Sequence, residues 1–157
     1  MSQSITVFTD GSCFNNGRKG AKAGIGIYFG EDDNRNISER INGKQTNNTA
    51  ELTAIITVFK ILKDDIDMNK SIIIYSDSEY SINSLTKWAH QWEKNDWKKH
   101  NNKQIQNIEL IKTGYNLFKT YKNVQIKYVR AHTNNEDILS MGNKKADELA
   151  YNSIFNQ

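Results

Sequence analysis

Acidic residues stand at four places where the sequence pattern predicts the start or the end of a secondary-structure element. Asp10 closes a β-rich run at residues 5–10, and Asp77 directly follows a second run at residues 71–76. Glu51 lies in the first turn of a helix that the apolar spacing predicts from Thr49 onward, and Asp147 lies near the start of a helix predicted over residues 143–154. Carboxylates of this kind can bind a divalent cation or move protons.

Each acid also has a purely structural explanation. Glu51 could complete a capping box with Asn48 as the N-cap, and Asp77 could cap the helix that follows it. Asp147 could simply interact favourably with its helix dipole. Stability alone gives no reason to bring all four carboxylates together in the fold. Two carboxylates about 4 Å apart repel by roughly 1 kcal/mol in water and about 4 kcal/mol at a protein surface.

A divalent cation would reverse the sign of that repulsion. Ligation by oxygen alone suits Mg²⁺ or Mn²⁺ and does not suit zinc. Two such ions can activate a water, bind the scissile phosphate and stabilise the leaving oxygen. The acids therefore indicate metal-dependent hydrolysis of a phosphodiester, provided that the fold brings them together.

The predicted elements give a reason to expect that convergence. A helical crossover between the strands at residues 5–10 and 71–76 would make the two strands parallel and adjacent, with Asp10 and Asp77 side by side at the carboxyl edge of the sheet. The whole pattern predicts an α/β fold with a hairpin-fed mixed sheet and helices on its faces. The predicted strands are residues 5–10, 23–30, 36–42, 71–76 and 124–129, and the predicted helices begin at Thr49 and span residues 78–92, 105–118 and 143–154.

Length, charge and cysteine content narrow the class of protein. The 157 residues suit one domain, spanning 1–157, and the net charge of +3 is concentrated locally, since residues 112–130 contain five cations and no acid. Such a basic face suits a polyanionic partner, although the same lysines could merely solvate a surface. A single cysteine, Cys13, excludes an intramolecular disulfide. Without a visible secretory signal or a membrane-length apolar run, we expect a cytoplasmic protein that does not engage membranes.

Four sequence blocks together resemble type 1 ribonuclease H. They are residues 9–12 (TDGS), 46–52 (TNNTAEL), 75–78 (YSDS) and 142–150 (GNKKADELA), and their order and context agree from about residue 5 to residue 150. The resemblance implies a ribonuclease H-like fold, in which a five-stranded mixed sheet has antiparallel strands 1–3, then parallel strands 4 and 5, with helices on both faces. It also implies a monomeric endonuclease that hydrolyses the RNA strand of RNA–DNA hybrids by a two-metal-ion mechanism. The products would carry 5′-phosphate and 3′-hydroxyl ends, with little sequence specificity, and Mn²⁺ would be able to substitute for Mg²⁺.

The resemblance assigns roles to individual positions. The metal-binding carboxylates would be Asp10, Glu51, Asp77 and Asp147, and His132 would assist proton transfer or product release. Residues 87–103 resemble the family's basic handle for the DNA strand, where Trp88 and Trp92 are expected to pack inward. The implied substrate contacts are Gly11, Ser12, Cys13, Asn16, Asn47 and Asn48, with Trp97, Lys98 and Lys99 in the handle.

Some features depart from the family pattern. Glu79 stands where the family often has Gln, and it could form a capping box with Ser76. The loop over residues 132–142 is longer than is usual, and we see no separate hybrid-binding module, so we expect low processivity. Two alternatives stay open: a non-catalytic module that binds hybrid or duplex RNA, and another nuclease of the same fold, such as a junction resolvase or a reverse-transcriptase-derived domain.

Overall fold

A mixed sheet of five strands, in the order β3-β2-β1-β4-β5, organises the part of the chain that the computed structural model describes, residues 4–131 and 133–155. Strands β1, β2 and β3 are antiparallel, whereas β1, β4 and β5 are parallel neighbours, which confirms the predicted fold class. The elements are β1 Ser4–Phe14, β2 Lys22–Tyr28, β3 Ile37–Arg40, α1 Asn47–Ile61, α2 Lys63–Asp67, β4 Ser71–Ser76, α3 Glu79–Asn83, a π-helical segment Ser84–Trp88, α4 Ala89–Lys94, α5 Ile108–Thr120, β5 Val124–Tyr128 and α6 Ile138–Phe155.

The central strand pair places the two strand acids next to each other. The parallel register of β1 and β4 ends at the pair Thr9 and Ser76, so Asp10 and Asp77 are the next residues on adjacent strands. β4 stops there, as predicted, but β1 continues beyond Gly11 and pairs with β2 as far as Phe14. The predicted end of this strand at residue 10 is therefore wrong.

Glycines allow helices to approach both faces of the sheet closely. A Cβ at Gly11 would lie 2.4 Å from the backbone nitrogen of Glu51, so only glycine permits α1 to pack here. On the opposite face, a Cβ at Gly26 would lie 2.1 Å from the carbonyl oxygen of Ala146 in α6. Helices thus cover both faces, and they bring Glu51 and the middle of α6 to the centre of the sheet.

Helix α6 runs along β1 in the same direction. Near its start, Gly142 lies against the ring of Phe8, where a Cβ would come within 2.3 Å. Near its end, the ring of Phe155 contacts that of Phe14, with centroids 5.4 Å apart. Matching positions along the two elements therefore face each other, and the middle of α6 lies beside Asp10.

The observed helix boundaries remove the structural explanations for three acids. Helix α1 is capped by Thr46, which forms a capping box with Thr49, so the alternative box of Asn48 and Glu51 does not form. Helix α3 is capped by the Ser78 side chain, which accepts from Ser81 N–H, so neither Asp77 nor a Ser76–Glu79 box caps it. Helix α6 begins at Ile138, which places Asp147 in its middle rather than in its first turn.

The main core lies between the sheet and α1. Branched aliphatic residues that alternate along the strands face the apolar side of α1 and exclude water. Among the described residues, no helix has both the length and the apolar character needed to cross a membrane. The fully buried side chains of this core include Val7, Ile27, Leu52, Ile55, Val58, Leu62, Ile72 and Ile74.

Candidate active site

Three carboxylates from three different elements converge at the carboxyl edge of β1 and β4. Asp10, Glu51 and Asp77 each offer an oxygen, and these oxygens all lie within 4.8 Å of one another. Asp10 and Glu51 are each only 4% exposed, whereas Asp77 is half-buried. Asp10 and Asp77 meet because β1 and β4 are adjacent and parallel, as the helical crossover predicted. The close approach of α1 at Gly11 adds Glu51.

One hydrogen bond fixes the orientation of Glu51. The N–H of Gly11 donates to Glu51 Oε1 over 2.9 Å, and Gly11 lies beyond the last residue pair of β1 and β4. The other oxygen, Glu51 Oε2, is buried, and apart from the neighbouring acids it has no hydrogen-bond partner in the described ranges. Leaving a buried acceptor unsatisfied costs about 1–3 kcal/mol, so Glu51 Oε2 is available to a ligand.

Asp147 flanks this cluster from the other face of the sheet. Its carboxyl lies close enough to Asp10 for a side-chain hydrogen bond, and its charge also acts on Glu51. Asp147 is not one of the three residues whose oxygens lie within the 4.8 Å cluster. Four predicted carboxylates thus gather in one region, with three of them closest together.

The pKa values of the two buried acids reflect this crowding. Burial, and then the negative charge of Glu51, raises the pKa of Asp10 far above its ordinary value of 3.8. Burial also raises the pKa of Glu51, while a hydrogen bond from the Asp10 carboxyl partly offsets that increase. Burial and mutual repulsion therefore disfavour a negative charge on both acids at the same time.

The donor set fits a hard divalent cation. It consists of carboxylate oxygens, which are the ligands that Mg²⁺ and Mn²⁺ prefer, and it includes the unsatisfied Glu51 Oε2. A cation would neutralise the repulsion between the acids and satisfy that buried oxygen. The site is therefore a candidate metal centre, held by Asp10, Glu51 and Asp77.

The predicted minor-groove contacts lie together beside the carboxylates. Asn16 Oδ1 accepts a hydrogen bond from the N–H of Asn47 over 3.0 Å, which ties the β1–β2 loop to the start of α1. Asn16, Asn47 and Asn48 are all exposed, whereas Ser12 and Cys13 are half-buried. Their role as substrate contacts stays a prediction. His132 lies outside the described residues.

The basic handle differs from expectation in its tryptophans. Trp92 packs against the core as predicted. Trp88 packs inward only in part, because it is 37% exposed while its ring contacts those of Tyr80 and Trp92, with centroids 6.2 and 6.0 Å away. The ring of Trp97 packs edge-on against Tyr115, with centroids 5.8 Å apart, and the Lys112 ammonium lies 5.2 Å from the Trp97 centroid. The π-helical segment that ends at Trp88 changes the rotation per residue, which a uniform helical pattern does not anticipate.

The two predicted handle lysines lie at the surface beside this aromatic packing. Lys98 is exposed and Lys99 is half-buried, and their role as contacts for the DNA strand stays a prediction. Glu79, the departure from the family pattern, is exposed in the first turn of α3.

Asn143 is a further candidate site residue, which the sequence pattern does not predict. It lies one helical turn before Asp147 on α6, is only 4% exposed, and its Oδ1 has no hydrogen-bond partner among the described residues. The two side chains line a pocket of about 680 Å³, which is large enough for a nucleotide, together with Asn135, Glu136 and Lys144. The spacing of four residues between Asn143 and Asp147 could have placed them on the same face of a helix. That inference requires α6 to begin before Asn143, and α6 begins at Ile138.

Comparison with known proteins identifies the family. The RNase H family model matches residues 2–155 of this chain, which therefore belongs to the RNase H family. The Schizosaccharomyces pombe ribonuclease H is 44% identical over 145 residues, an alignment that covers 92% of this chain and 50% of the relative. A ribonuclease H of Wolbachia pipientis is 33% identical over 150 residues, with 96% of this chain and 94% of the relative covered.

The fold is shared with a viral enzyme of known structure. The foamy viral protease-reverse transcriptase, solved in complex with an RNA/DNA hybrid, matches with a TM-score of 0.78 at 20% identity. The match covers 98% of this chain and 20% of the viral chain. This chain also spans about half the length of several curated relatives, including the S. pombe enzyme.

Proposed function

We propose that this protein is an endonuclease that hydrolyses the RNA strand of RNA–DNA hybrids, leaving 5′-phosphate and 3′-hydroxyl ends. The observation that carries the proposal is the convergence of Asp10, Glu51 and Asp77 within 4.8 Å, although each acid comes from a different element. Family membership and relatives named ribonuclease H support the same activity, and the foamy viral neighbour was solved with a hybrid.

The carboxylates would hold Mg²⁺, with Mn²⁺ able to substitute. Asp10, Glu51 and Asp77 form the ligand set that the geometry supports, and Asp147 would complete it from the α6 side. When bound, two such ions supply Lewis-acid activation of a water and stabilisation of the departing oxygen. The protein's part is to hold Glu51 in place through the Gly11 N–H and to keep the acids in a largely buried setting.

Asn143 and His132 would act beside the metal ligands. The buried Asn143 side chain lines the same pocket as Asp147, so it is placed to orient groups that approach that acid. For His132, we propose the family's role in proton transfer or product release, which rests on sequence resemblance.

Selectivity for a hybrid would come from reading both strands. Asn16, Asn47 and Asn48 are short amides that can donate and accept hydrogen bonds, which suits 2′-hydroxyl groups and base edges in a wide minor groove. The link between Asn16 Oδ1 and the Asn47 N–H holds the β1–β2 loop and α1 at a fixed spacing beside the acids. The deoxy strand would lie on the basic handle, where Lys98 and Lys99 contribute affinity without sequence information.

A cleavage assay on a panel of nucleic acids tests the proposal. We would incubate the protein with end-labelled hybrid, single-stranded RNA, duplex RNA, duplex DNA and a four-way junction, in Mg²⁺, in Mn²⁺ and in EDTA. The proposal expects cutting of the RNA strand of the hybrid alone, and only with metal. Junction cutting would favour a resolvase, and tight hybrid binding without any cleavage would favour a non-catalytic module.

A pair of matched variants ties the activity to the site. Asp10→Asn should keep the fold and lose turnover, because it removes a charged ligand at nearly constant shape. Asp32→Asn makes the same chemical change at an exposed turn and should retain wild-type turnover. Equal activity in the two variants would contradict the assignment of Asp10.

A further inference from the structure

An exposed cluster of three aromatic side chains, Phe14, Tyr151 and Phe155, lies on the same side of the sheet as Asp147. Their exposed fractions are 44%, 54% and 46%. The rings touch one another: Phe155 lies edge-on to Phe14 with centroids 5.4 Å apart, and its centroid is 4.7 Å from that of Tyr151. Single exposed aromatic residues are ordinary, but a contiguous patch at a protein surface usually marks an interaction site.

The patch is a continuation of the candidate active site. Phe14 follows Asp10 by four residues on β1, a distance of about 13 Å along the strand, and side chains two apart share a face. Tyr151 and Phe155 follow Asp147 by one and two turns of α6, or about 6 and 12 Å. Both elements therefore lead from the acids to the same aromatic surface.

The charges beside the patch favour a polyanion. No acid occurs from residue 11 to residue 30, whereas Arg18, Lys19 and Lys22 are exposed in that stretch. Lys22 is the β2 residue paired with Phe14, which places its backbone directly beside the aromatic cluster. On α6, no acid follows Glu148 as far as residue 155.

We propose that this aromatic patch binds unpaired nucleotides of the RNA strand that extends from the cleavage site, an inference that rests on the proposed function. Aromatic rings bind nucleic acid by stacking on base faces, and within a duplex those faces are already covered by neighbouring base pairs. Only an unpaired segment can offer its bases to Phe14, Tyr151 and Phe155. Since β1 and α6 both run from the acids that would cut the RNA strand to this patch, we assign the patch to the RNA strand and not to the DNA strand.

A binding measurement in EDTA separates this inference from catalysis. Fluorescence anisotropy would give Kd for a blunt hybrid and for the same hybrid with a short unpaired extension on the RNA 5′ end, the RNA 3′ end, or either end of the DNA. The protein is expected to bind one of the RNA-extended hybrids at least about fivefold more tightly than the blunt one, which corresponds to ~1 kcal/mol or the weak end of single-base stacking.

Variants locate the effect on the patch. The ratio of the two Kd values should fall to near one in Phe14→Ala/Phe155→Ala and should be retained in Phe14→Tyr, which keeps a ring. Met68→Ala removes an exposed apolar side chain from the turn between α2 and β4, away from the patch, and should keep the wild-type ratio. Circular dichroism checks folding, and Tyr151→Ala gives a second, milder test because more than half of that side chain is exposed.

Each other outcome has a distinct meaning. An extension that adds no affinity, or adds it only on the DNA strand, overturns the inference even if the blunt hybrid is bound and cut. Wild-type dimers in sedimentation that become monomers in the double variant would assign the patch to self-association instead. Failure to bind or cut any hybrid would count against the proposed function itself.

Discussion

Replacing Asp10 with asparagine should make the metal-free protein more stable. Asp10 is 4% exposed, and burial followed by the charge of Glu51 raises its pKa far above 3.8. The folded state therefore retains a proton that the unfolded chain releases above about pH 4, so this residue's contribution to stability falls as the pH rises from there. Asparagine is similar in shape, carries no charge, and can donate to Glu51 through its amide.

The size of the effect follows from the pH interval over which Asp10 is protonated in the folded state and ionised in the unfolded state. From 3.8 to pH 7, at about 1.36 kcal/mol for each pH unit, the penalty of keeping Asp10 protonated approaches ~4 kcal/mol. We expect Asp10→Asn to recover about 1–4 kcal/mol at neutral pH and almost nothing near pH 4. In a domain of this size, that corresponds to a rise in Tm of roughly 3–15 °C.

Thermal denaturation in EDTA across this pH range measures the effect, and adding Mg²⁺ then measures metal linkage. Mg²⁺ should raise the Tm of the wild-type protein, because a ligand that binds only the folded state stabilises it, and should have little effect on Asp10→Asn. Asp32→Asn is the matched control, since it changes the same functional group at an exposed turn. If Asp10→Asn gives no stabilisation in EDTA at neutral pH, or if Mg²⁺ stabilises it as much as the wild type, the electrostatic reasoning is wrong.

Three further predictions follow from neighbouring features. Glu51→Ala should be about 1–3 kcal/mol less stable in denaturant titrations than Glu51→Gln, which keeps an acceptor for the Gly11 N–H, and equal stabilities would contradict that role. Gly26→Ala should destabilise the protein by more than about 3 kcal/mol, because its Cβ would meet the α6 backbone at 2.1 Å; a native-like Tm would refute the packing. Lys98→Ala and Lys99→Ala should each reduce the slope of log Kd against log salt for hybrid binding by about 1, and unchanged slopes would remove those lysines from the interface.

Strands and acids with strong local signals could be predicted from the sequence. The run from Ser71 to Ser76 is apolar, β-branched and followed by Asp77, and its observed bounds are those predicted. The adjacency of Asp10 and Asp77 needed only the handedness and length of a helical crossover. Both features could be predicted because the residues of one strand, or the length of one connection, are enough to indicate them.

Features that depend on close contact between distant segments could not be predicted from the spacing of residues along the chain. Glycine is uncommon inside strands, yet Gly11 lies inside β1, where the absence of a side chain allows α1 to pack closely. Gly142 lies inside α6 for a similar reason, since its missing side chain makes room for the ring of Phe8. Around Asn48, two capping patterns compete, and the Thr46–Thr49 box forms instead of the one with Glu51, which leaves Glu51 free for the carboxylate cluster.

Anomalous diffraction from crystals grown with Mn²⁺ would show whether the carboxylate cluster binds a divalent cation. We expect a peak of anomalous density within bonding distance of carboxylate oxygens from Asp10, Glu51 and Asp77, and its loss in Asp10→Asn crystals. A well-ordered site with all three side chains in their present positions, and manganese bound only elsewhere on the protein, would contradict it.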